Sequence, residues 1–544
     1  MAQLVSKTRT RRAKERERLA ARTAGGASHL RDSPAVRLFL GVLVWAATLA
    51  IIHSGEGVYR QVDVRSLFLF VGDGAFLLIS MFTVALLLEV VAPETLRRNS
   101  SILILAVISL TSVGLARAVL HFSAATEFFG PEARGFLVPF ALTPILATIL
   151  LNSATGIAAG IWSTIAMATM CERSFAVLIT GLVATVVAAG ISRQLRTRLR
   201  VARTGLFVGL AEGACVLGMT AMRWEVTSTE AVLHQTLACL ISGLSSALLV
   251  LIVLPVLESV FGVTSDVTLL ELSDLAHPVL QRLAIEAPGT YHHSLVVAQL
   301  AQAAADEVDA NALLARVSAY FHDVGKLTKP DFFSENIRIR ANPHDDLPPS
   351  MSTLVITSHV KEGVSLAMLH RLPHAIMRAI TEHHGTSLVS CFHHKAAVLS
   401  DPRDRGWDGT PGIRVSVVEG DFRYPGPKPT SKESAIVCLA DAVEAASRSL
   451  EKATPGHIEN LVNDIVNKRM EDGQLDNCDL SLAEISRIKR SFVFTLTNML
   501  HGRVAYPSYE NPDKQRSELL SREQTEGSRI DTATADARNQ SRAE

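Results

Sequence analysis

A histidine and an aspartate stand side by side at 322 and 323, within Ala319-Tyr320-Phe321-His322-Asp323-Val324-Gly325-Lys326, where an apolar helical pattern ends. Neutral imidazole is a good ligand for transition metals, and an adjacent carboxylate can bridge two ions. Taken by itself the pair has a plain alternative, a helix C-terminus with a polar end. Other residues of the same chemistry weigh against that alternative. His293, His359, His383, His384 and Asp441 all fall on segments of helical periodicity or at their ends. With His322 and Asp323 they make five imidazoles and two carboxylates, a set that suits two first-row metal ions rather than one.

The elements that must hold these residues can be read from turn and capping signals. Pro288-Gly289-Thr290 is a turn with an N-cap candidate, placed just before His292 and His293. A helix follows over 311–324, with Leu313, Leu314, Val317 and Phe321 at three- and four-residue spacing and Gly325 expected to stop it. Ser350 can cap a helix carrying His359, and a further helix over 373–384 ends at Gly385. Thr430 with Glu433 reads as a capping box for the helix that carries Asp441. Pro455 and the Ser481/Glu484 pair open two more helices, ending near Leu500. No run of alternating strands is evident, so the class is all-α, with residues 260–507 as one soluble domain. Residues 508–544 are polar, lack aromatics after Tyr509, and read as a disordered tail.

The first half is different in kind. The chain of 544 residues is 48% hydrophobic and only 19% charged, and the apolar excess lies almost entirely before residue 260. Apolar runs occupy about 35–52, 67–92, 101–121, 135–151, 154–171, 174–192, 204–222 and 233–258, each near the roughly 20 residues needed to cross a bilayer. They define a polytopic membrane domain over 35–259 with about eight helices. Residues 1–34 carry nine Lys or Arg against three acids and read as a basic cytoplasmic tail before a retained anchor. With the N-terminus inside, Arg97, Arg98, Arg193, Arg196, Arg198, Arg200 and Arg203 also fall inside, and eight spans return the soluble domain to the cytoplasm. The expected location is therefore the cell (inner) membrane, multi-pass, with the lipid bilayer as a partner. Asp73, Arg117 and Glu212 lie within apolar runs and receive no role from sequence. A formal net charge of zero gives no support for a nucleic-acid polymer as partner. The six cysteines are scattered without CxxC spacing, which argues against a disulfide framework or a zinc–thiolate site.

His293, His322-Asp323 and Asp441 resemble the H…HD…D pattern of the HD-domain metal-dependent phosphohydrolases, and His359 with His383-His384 resembles the extra ligands of its binuclear subset. The flanking text EAPGTYHHS (286–294), NPHDDLPPS (342–350), ITSHVKEG (356–363), EHHGTSLV (382–389), FRYPGPKP (422–429) and LADAVEAASRSL (439–450) is similar to the membrane-bound seven-transmembrane-receptor HD hydrolases of the PgpH type. Such members usually carry a large extracellular domain between the first two spans, where this chain has only about residues 54–66. The resemblance implies a membrane-anchored phosphodiesterase that hydrolyses cyclic di-AMP to pApA with two divalent ions, Mn²⁺ or Fe²⁺. It is compatible with a homo-oligomer.

Carried over residue by residue, His293, His322, Asp323 and Asp441 would hold one ion, and Asp323, His359, His383 and His384 the other. His292 is the alternative to His293, but the HSxxVA form places the ligand at His293. His393 and His394 match no ligand position and read as surface residues. Lys326 would stabilise developing charge, while Arg423 and Lys428 are candidate phosphate contacts or solvated charges. Three rivals remain: a cyclic di-GMP phosphodiesterase, a mononuclear nucleotide phosphohydrolase, and a nucleotide-binding receptor without turnover. His383-His384-Gly385-Thr386-Ser387 departs from the Glu and GYP element expected of the first.

Overall fold

The computed structural model describes residues 33–54, 64–126, 128–193, 197–222, 228–337, 342–400, 417–450 and 454–501. The expected basic tail, apart from its last residues, and the expected disordered tail lie outside them. Among the described residues the only strand-like pairing is an isolated antiparallel bridge between Leu388 and Arg423. The all-α expectation holds.

The membrane half contains α1 (Pro34–His53), α2 (Val64–Val91), α3 (Asn99–Thr126), α4 (Leu142–Leu150), α5 (Ser153–Met170), α6 (Phe175–Ser192), α7 (Arg198–Ala221) and α8 (Thr229–Phe261). Each apolar run thus yields a helix, but the fourth is broken. Pro131–Arg134 is a helical turn, Gly135–Leu137 a 3₁₀ turn, and Val138 is extended before α4 begins. At 1.5 Å per residue, nine-residue α4 is only about 13.5 Å long and cannot cross by itself. Among the described residues, seven stretches are long and apolar enough to span, against the eight expected, with Pro131–Leu150 counted as one. The helix α5 is not among them, because Ser153, Thr155, Ser163, Thr164 and Thr169 dilute its apolar character. The broken stretch instead sits at the centre of the bundle, with Phe140, Leu142, Ile145 and Leu146 fully buried.

Helices α7 and α8 form the tightest pair. A Cβ added at Gly243 would come 2.3 Å from the Gly205 carbonyl oxygen, so small residues let the two backbones touch. Ser228 caps α8, accepting from the Ala231 amide at 3.2 Å, and Gly262 ends the helix at φ 63°, the left-handed conformation glycine adopts without strain. Two polar contacts then tie the bundle to the connector α9 (Asp266–Leu272). Glu258 accepts from the Ser265 amide at 2.7 Å, and Arg198 pairs with Glu271 at 2.7 Å.

The second half packs α10 (Pro278–Glu286), α11 (Pro288–Glu307), α12 (Ala312–Phe321), α13 (Pro349–Leu369), α14 (His374–Glu382), α15 (Ser390–Ser400), α16 (Lys432–Ser447), α17 (Pro455–Glu471) and α18 (Leu482–His501). Its core includes Leu300, Phe321, Ile436, Val443, Ile488 and Phe492. Several local expectations shift. Helix α11 starts at Pro288, whose missing N–H costs nothing there, so Thr290 lies inside the helix rather than capping it. Helix α13 begins at Pro349 without a side-chain cap, so Ser350 does not serve. Ser431, not Thr430, caps α16, because Thr430 donates to Glu382 at 2.6 Å. Ser481 and Glu484 do form their reciprocal cap on α18.

Candidate metal centre

Helix α12 buries Val317 and Phe321 on its apolar side and delivers His322 and Asp323 at its end, both essentially without solvent exposure. The chain does not stop there. It tightens into a 3₁₀ turn over Val324–Thr328. Gly325 serves a different purpose from the helix stop expected of it: an added Cβ would lie 1.8 Å from the His359 carbonyl oxygen. Glycine is what lets the His-Asp turn press against α13, which carries His359. Helix α11 supplies His293, the end of α14 supplies His383 and His384, and α16 supplies Asp441.

Together these residues make two overlapping clusters. His293, His322, Asp323 and Asp441 have ligand atoms within 4.8 Å of one another, as do Asp323, His359, His383 and His384. Asp323 belongs to both, and its two oxygens divide the work. Oδ2 lies 3.5 Å from His293 Nε2 and 3.2 Å from His322 Nε2, while Oδ1 lies 3.5 Å from His359 Nε2 and 3.6 Å from His383 Nε2. Asp441 Oδ1 lies 3.1 Å from His293 Nε2, and its Oδ2 3.5 Å from His384 Nδ1.

The outer hydrogen bonds fix the tautomers. Nδ1 of His322 donates to the Ala319 carbonyl at 2.7 Å, that of His359 to Ile356 at 2.6 Å and that of His383 to Ile380 at 2.9 Å. Each Nε2 is therefore left as a bare acceptor aimed inward. His359 and His383 turn these atoms toward each other at 3.3 Å, lone pair to lone pair. His322 Nε2 and both Asp323 oxygens are buried without a directed hydrogen bond. A donor set this dense, with its lone pairs converging, fits divalent cations.

Without a cation, the charges are strained in opposite directions. Burial works against ionising Asp323, yet Lys326 and His322 beside it hold its carboxyl well below the usual range. Burial likewise opposes Asp441, but the hydrogen bond from His293 holds it low. Burial lowers His359 to about 4 and takes His384 down as well. His293 resists burial through Asp441 and Glu444 and rises to about 9.

Lys326 is largely but not fully buried, with Nζ 2.7 Å from Asp323 Oδ2 and 2.8 Å from Glu335 Oε1. Burial would lower its pKa, but these two carboxylates raise it, so the ammonium persists. It lines a cavity of about 690 Å³ together with His293, His359, His384, Asp441 and Tyr424. Arg423 also reaches this cavity, but its guanidinium is engaged by Asp472 at 2.8 Å and Glu419 at 2.7 Å. Lys428 pairs with Asp476 at 3.0 Å and is not part of the cavity wall.

Sequence reading missed several residues. Glu444 binds His293 Nδ1 at 2.5 Å and is itself held by Arg448 at 2.9 Å. The signal was present, since Glu444 and Arg448 follow Asp441 at helical spacing on one face of α16. Tyr424 stacks against His384 with ring centroids 4.2 Å apart, and Arg448, Lys468 and Arg469 add positive charge to the cavity wall. For Tyr424, Lys468 and Arg469 no local pattern points to the site.

A bundle of membrane-length helices followed by a helical domain with a His-Asp turn at its centre defines a multi-pass membrane protein of the HD class. Residues 67–265 match the family model described as the 7TM receptor with intracellular HD hydrolase, and residues 290–446 match that of the HD domain. The chain belongs to this family of 7TM-receptor HD proteins. It is 37% identical over 383 residues to the cyclic-di-AMP phosphodiesterase PgpH of Bacillus subtilis, covering 69% of this chain and 51% of that protein. The PgpH of Listeria monocytogenes is 33% identical, with 68% and 50% covered. An uncharacterised Synechocystis protein is 36% identical over 60% of this chain and 39% of its own length. The chain thus spans about half the length of the PgpH relatives it matches. Crystal structures of the Listeria PgpH HD domain align over the whole of that domain. The first is 40% identical over 41% of this chain with a TM-score of 0.37, and the complex with cyclic-di-AMP is 39% identical over 42% with a TM-score of 0.38.

Proposed function

We propose that this chain is a membrane-anchored binuclear phosphodiesterase that hydrolyses cyclic di-AMP to pApA. The observation that carries the reading is Asp323, whose two oxygens face two separate sets of inward-pointing ligand atoms. The names of the PgpH relatives support the choice of cyclic di-AMP. A cavity of about 690 Å³ lies within the range of small-ligand sites, roughly 300–1,000 Å³.

His293, His322, Asp323 and Asp441 would hold one divalent ion, and Asp323, His359, His383 and His384 a second, as Mn²⁺ or Fe²⁺. When bound, such ions make water a nucleophile at neutral pH and neutralise phosphate oxygens. The protein's own groups do the rest. Lys326 keeps the shared carboxylate ionised and presents a largely buried cation to the cavity, where phosphate charge develops. Glu335 orients that ammonium, and Glu444 orients His293. Arg448, Lys468 and Arg469 are the wall cations suited to the second phosphate. Arg423 acts on the loop it ties to Asp472 rather than on substrate.

In this reading the catalytic domain, residues 260–507, faces the cytoplasm and residues 35–259 lie in the cell (inner) membrane. This reading counts α5 (18 residues, about 27 Å) as a crossing beside the seven stretches that are long and apolar enough, α1 included, which gives eight. An even number puts both ends on the side of Arg97, Arg98, Arg198, Arg200 and Arg203, as the positive-inside rule asks.

The test is turnover by the full chain in detergent with added Mn²⁺, comparing cyclic di-AMP with cyclic di-GMP. Faster conversion of cyclic di-AMP to pApA is expected. Equal rates would remove the adenine preference, and a protein loaded with two ions that cleaves neither dinucleotide would overturn the reading.

A further inference from the structure

Glu212 lies near the middle of α7, is completely buried, and has no hydrogen-bond partner on either carboxylate oxygen. The other carboxylate flagged within an apolar run is treated differently. Asp73 on α2 receives three Arg173 guanidinium hydrogen bonds, at 3.1, 2.8 and 2.7 Å. No Lys, Arg or His among the described residues acts on Glu212. Its polar neighbour is Ser242, and the titratable groups nearby are the thiols of Cys239 and, beyond it, Cys215.

Ser242 belongs to a buried polar stripe on α8, with Gln235, Cys239 and Ser246 at spacings of four, three and four residues. Its hydroxyl proton is already committed, since Oγ donates to the Val138 carbonyl at 2.6 Å. Val138 is the extended residue where the buried fourth run breaks between its 3₁₀ turn and α4. Gln235 pins the same stretch from the other end, donating to the Glu132 carbonyl at 3.2 Å. The result is a carboxylate beside a hydroxyl whose short hydrogen bond goes to a backbone carbonyl. Ser246, one turn farther along α8, also has an unpartnered hydroxyl.

An uncompensated carboxylate at membrane depth is among the most expensive groups a fold can bury. Broken helices at that depth are where membrane proteins hold small cations. From these observations we infer that Glu212 and Ser242 form a monovalent-cation site inside the membrane domain, occupied by a proton or an alkali-metal ion. A proton on Glu212 would turn it into a donor to the free lone pair of Ser242 Oγ. An alkali ion would be coordinated by the same oxygens. Either occupant cancels the single negative charge and leaves no excess. The inference is independent of the phosphodiesterase reading, because none of these residues touches the cavity of the HD half.

The experiment uses the full chain in nanodiscs. In one arm, Na⁺, K⁺ or Li⁺ replaces N-methylglucamine at constant ionic strength and pH while thermal unfolding is followed. An alkali site predicts a melting temperature that climbs by a constant step per tenfold excess of one ion in the wild type and stays flat in Glu212→Gln. In the other arm, ¹³C-glutamate labelling is combined with infrared spectroscopy. A proton site predicts a protonated-carboxyl C=O band that shifts with the label and is missing from Glu212→Gln. If that variant fails to fold, Ser242→Ala takes its place: it should weaken the alkali response or move the carboxyl band. A wild-type protein with neither alkali-dependent stabilisation nor a protonated glutamate band would overturn the inference.

Discussion

Both halves of this molecule bury a carboxylate with no directed hydrogen bond, and they surround it in opposite ways. Asp323 sits among inward-facing imidazoles with the Lys326 ammonium at 2.7 Å. Glu212 sits beside a serine and near a thiol, and no Lys, Arg or His among the described residues acts on it. The contrast shows what positive charge each site is built to take. In the HD half, lone pairs are collected from five helices or their ends, an arrangement that suits divalent cations. In the membrane half a single negative charge is left over, and one positive charge completes it.

The largest effect expected from breaking this contrast comes at the shared carboxylate. Asp323→Ala should strip most of both ions and take turnover below detection. His384→Ala should deplete chiefly one of the two. Elemental analysis of the purified full chain checks both, and a variant lacking Asp323 that kept two ions would refute the bridging role.

Next in size is Lys326→Ala. Its ammonium contributes charge that matters most as phosphate charge develops, so kcat should fall by up to about 10²-fold while metal content persists. A rise confined to KM would make Lys326 a uniform binding contact.

Glu444→Gln should act one step farther out. Losing the carboxylate behind His293 is expected to weaken metal affinity by about 10–100-fold, with kcat largely restored at saturating Mn²⁺. A metal titration of activity separates that outcome from a loss of folding.

A smaller effect concerns pH in the chelator-treated protein. Burial lowers His359 from 6.5 to about 4 and lowers His384 too, so below 6.5 the unfolded chain takes up more protons than the folded one. Their share of stability is complete above 6.5 and is lost as pH falls toward 4. His293 runs the other way: burial would lower it, but Asp441 and Glu444 raise it from 6.5 to about 9. Its contribution is full below 6.5 and is lost as pH rises through 9. The apparent melting temperature of the metal-free chain should therefore peak near 6.5, and bound Mn²⁺ should flatten the curve. A steady rise across the range would contradict these assignments.

The smallest effect is expected at the joint between the halves. Arg198 and Glu271 are both largely exposed, so Arg198→Ala should cost no more than about 1 kcal/mol of stability. A large change in the thermal profile would mean that this contact couples the two regions more strongly than its exposure implies.

The sequence alone determined the parts of this protein whose signals are local. Apolar runs of membrane length marked the helices of the first half. Caps such as Ser481 with Glu484, and proline starts such as Pro455, marked several helices of the second. The metal-ligand candidates were legible because each is a chemically distinctive residue at or near a helix end. The family resemblance implied their overlap at Asp323, but the division of its two oxygens between the two sets appears only with α11, α12, α13, α14 and α16 packed together.

Tertiary structure decided what depends on distant partners. Arg423 reads from sequence equally as a phosphate contact or a solvated charge, and only packing shows Asp472, 49 residues away, on its guanidinium. Gly325 looked like a helix stop until α13 was seen pressing on it. The fourth apolar run reads from sequence as a span closely followed by the fifth, yet it breaks at Val138, whose carbonyl is held by Ser242, 104 residues along the chain. Glu212 is the extreme case. Nothing in its neighbourhood of sequence says whether a cation lies beside it, because that depends on which faces of α7 and α8 meet. Periodicity and capping report on a few turns of chain, whereas the charge around a buried carboxylate is set by helices that only packing brings into contact.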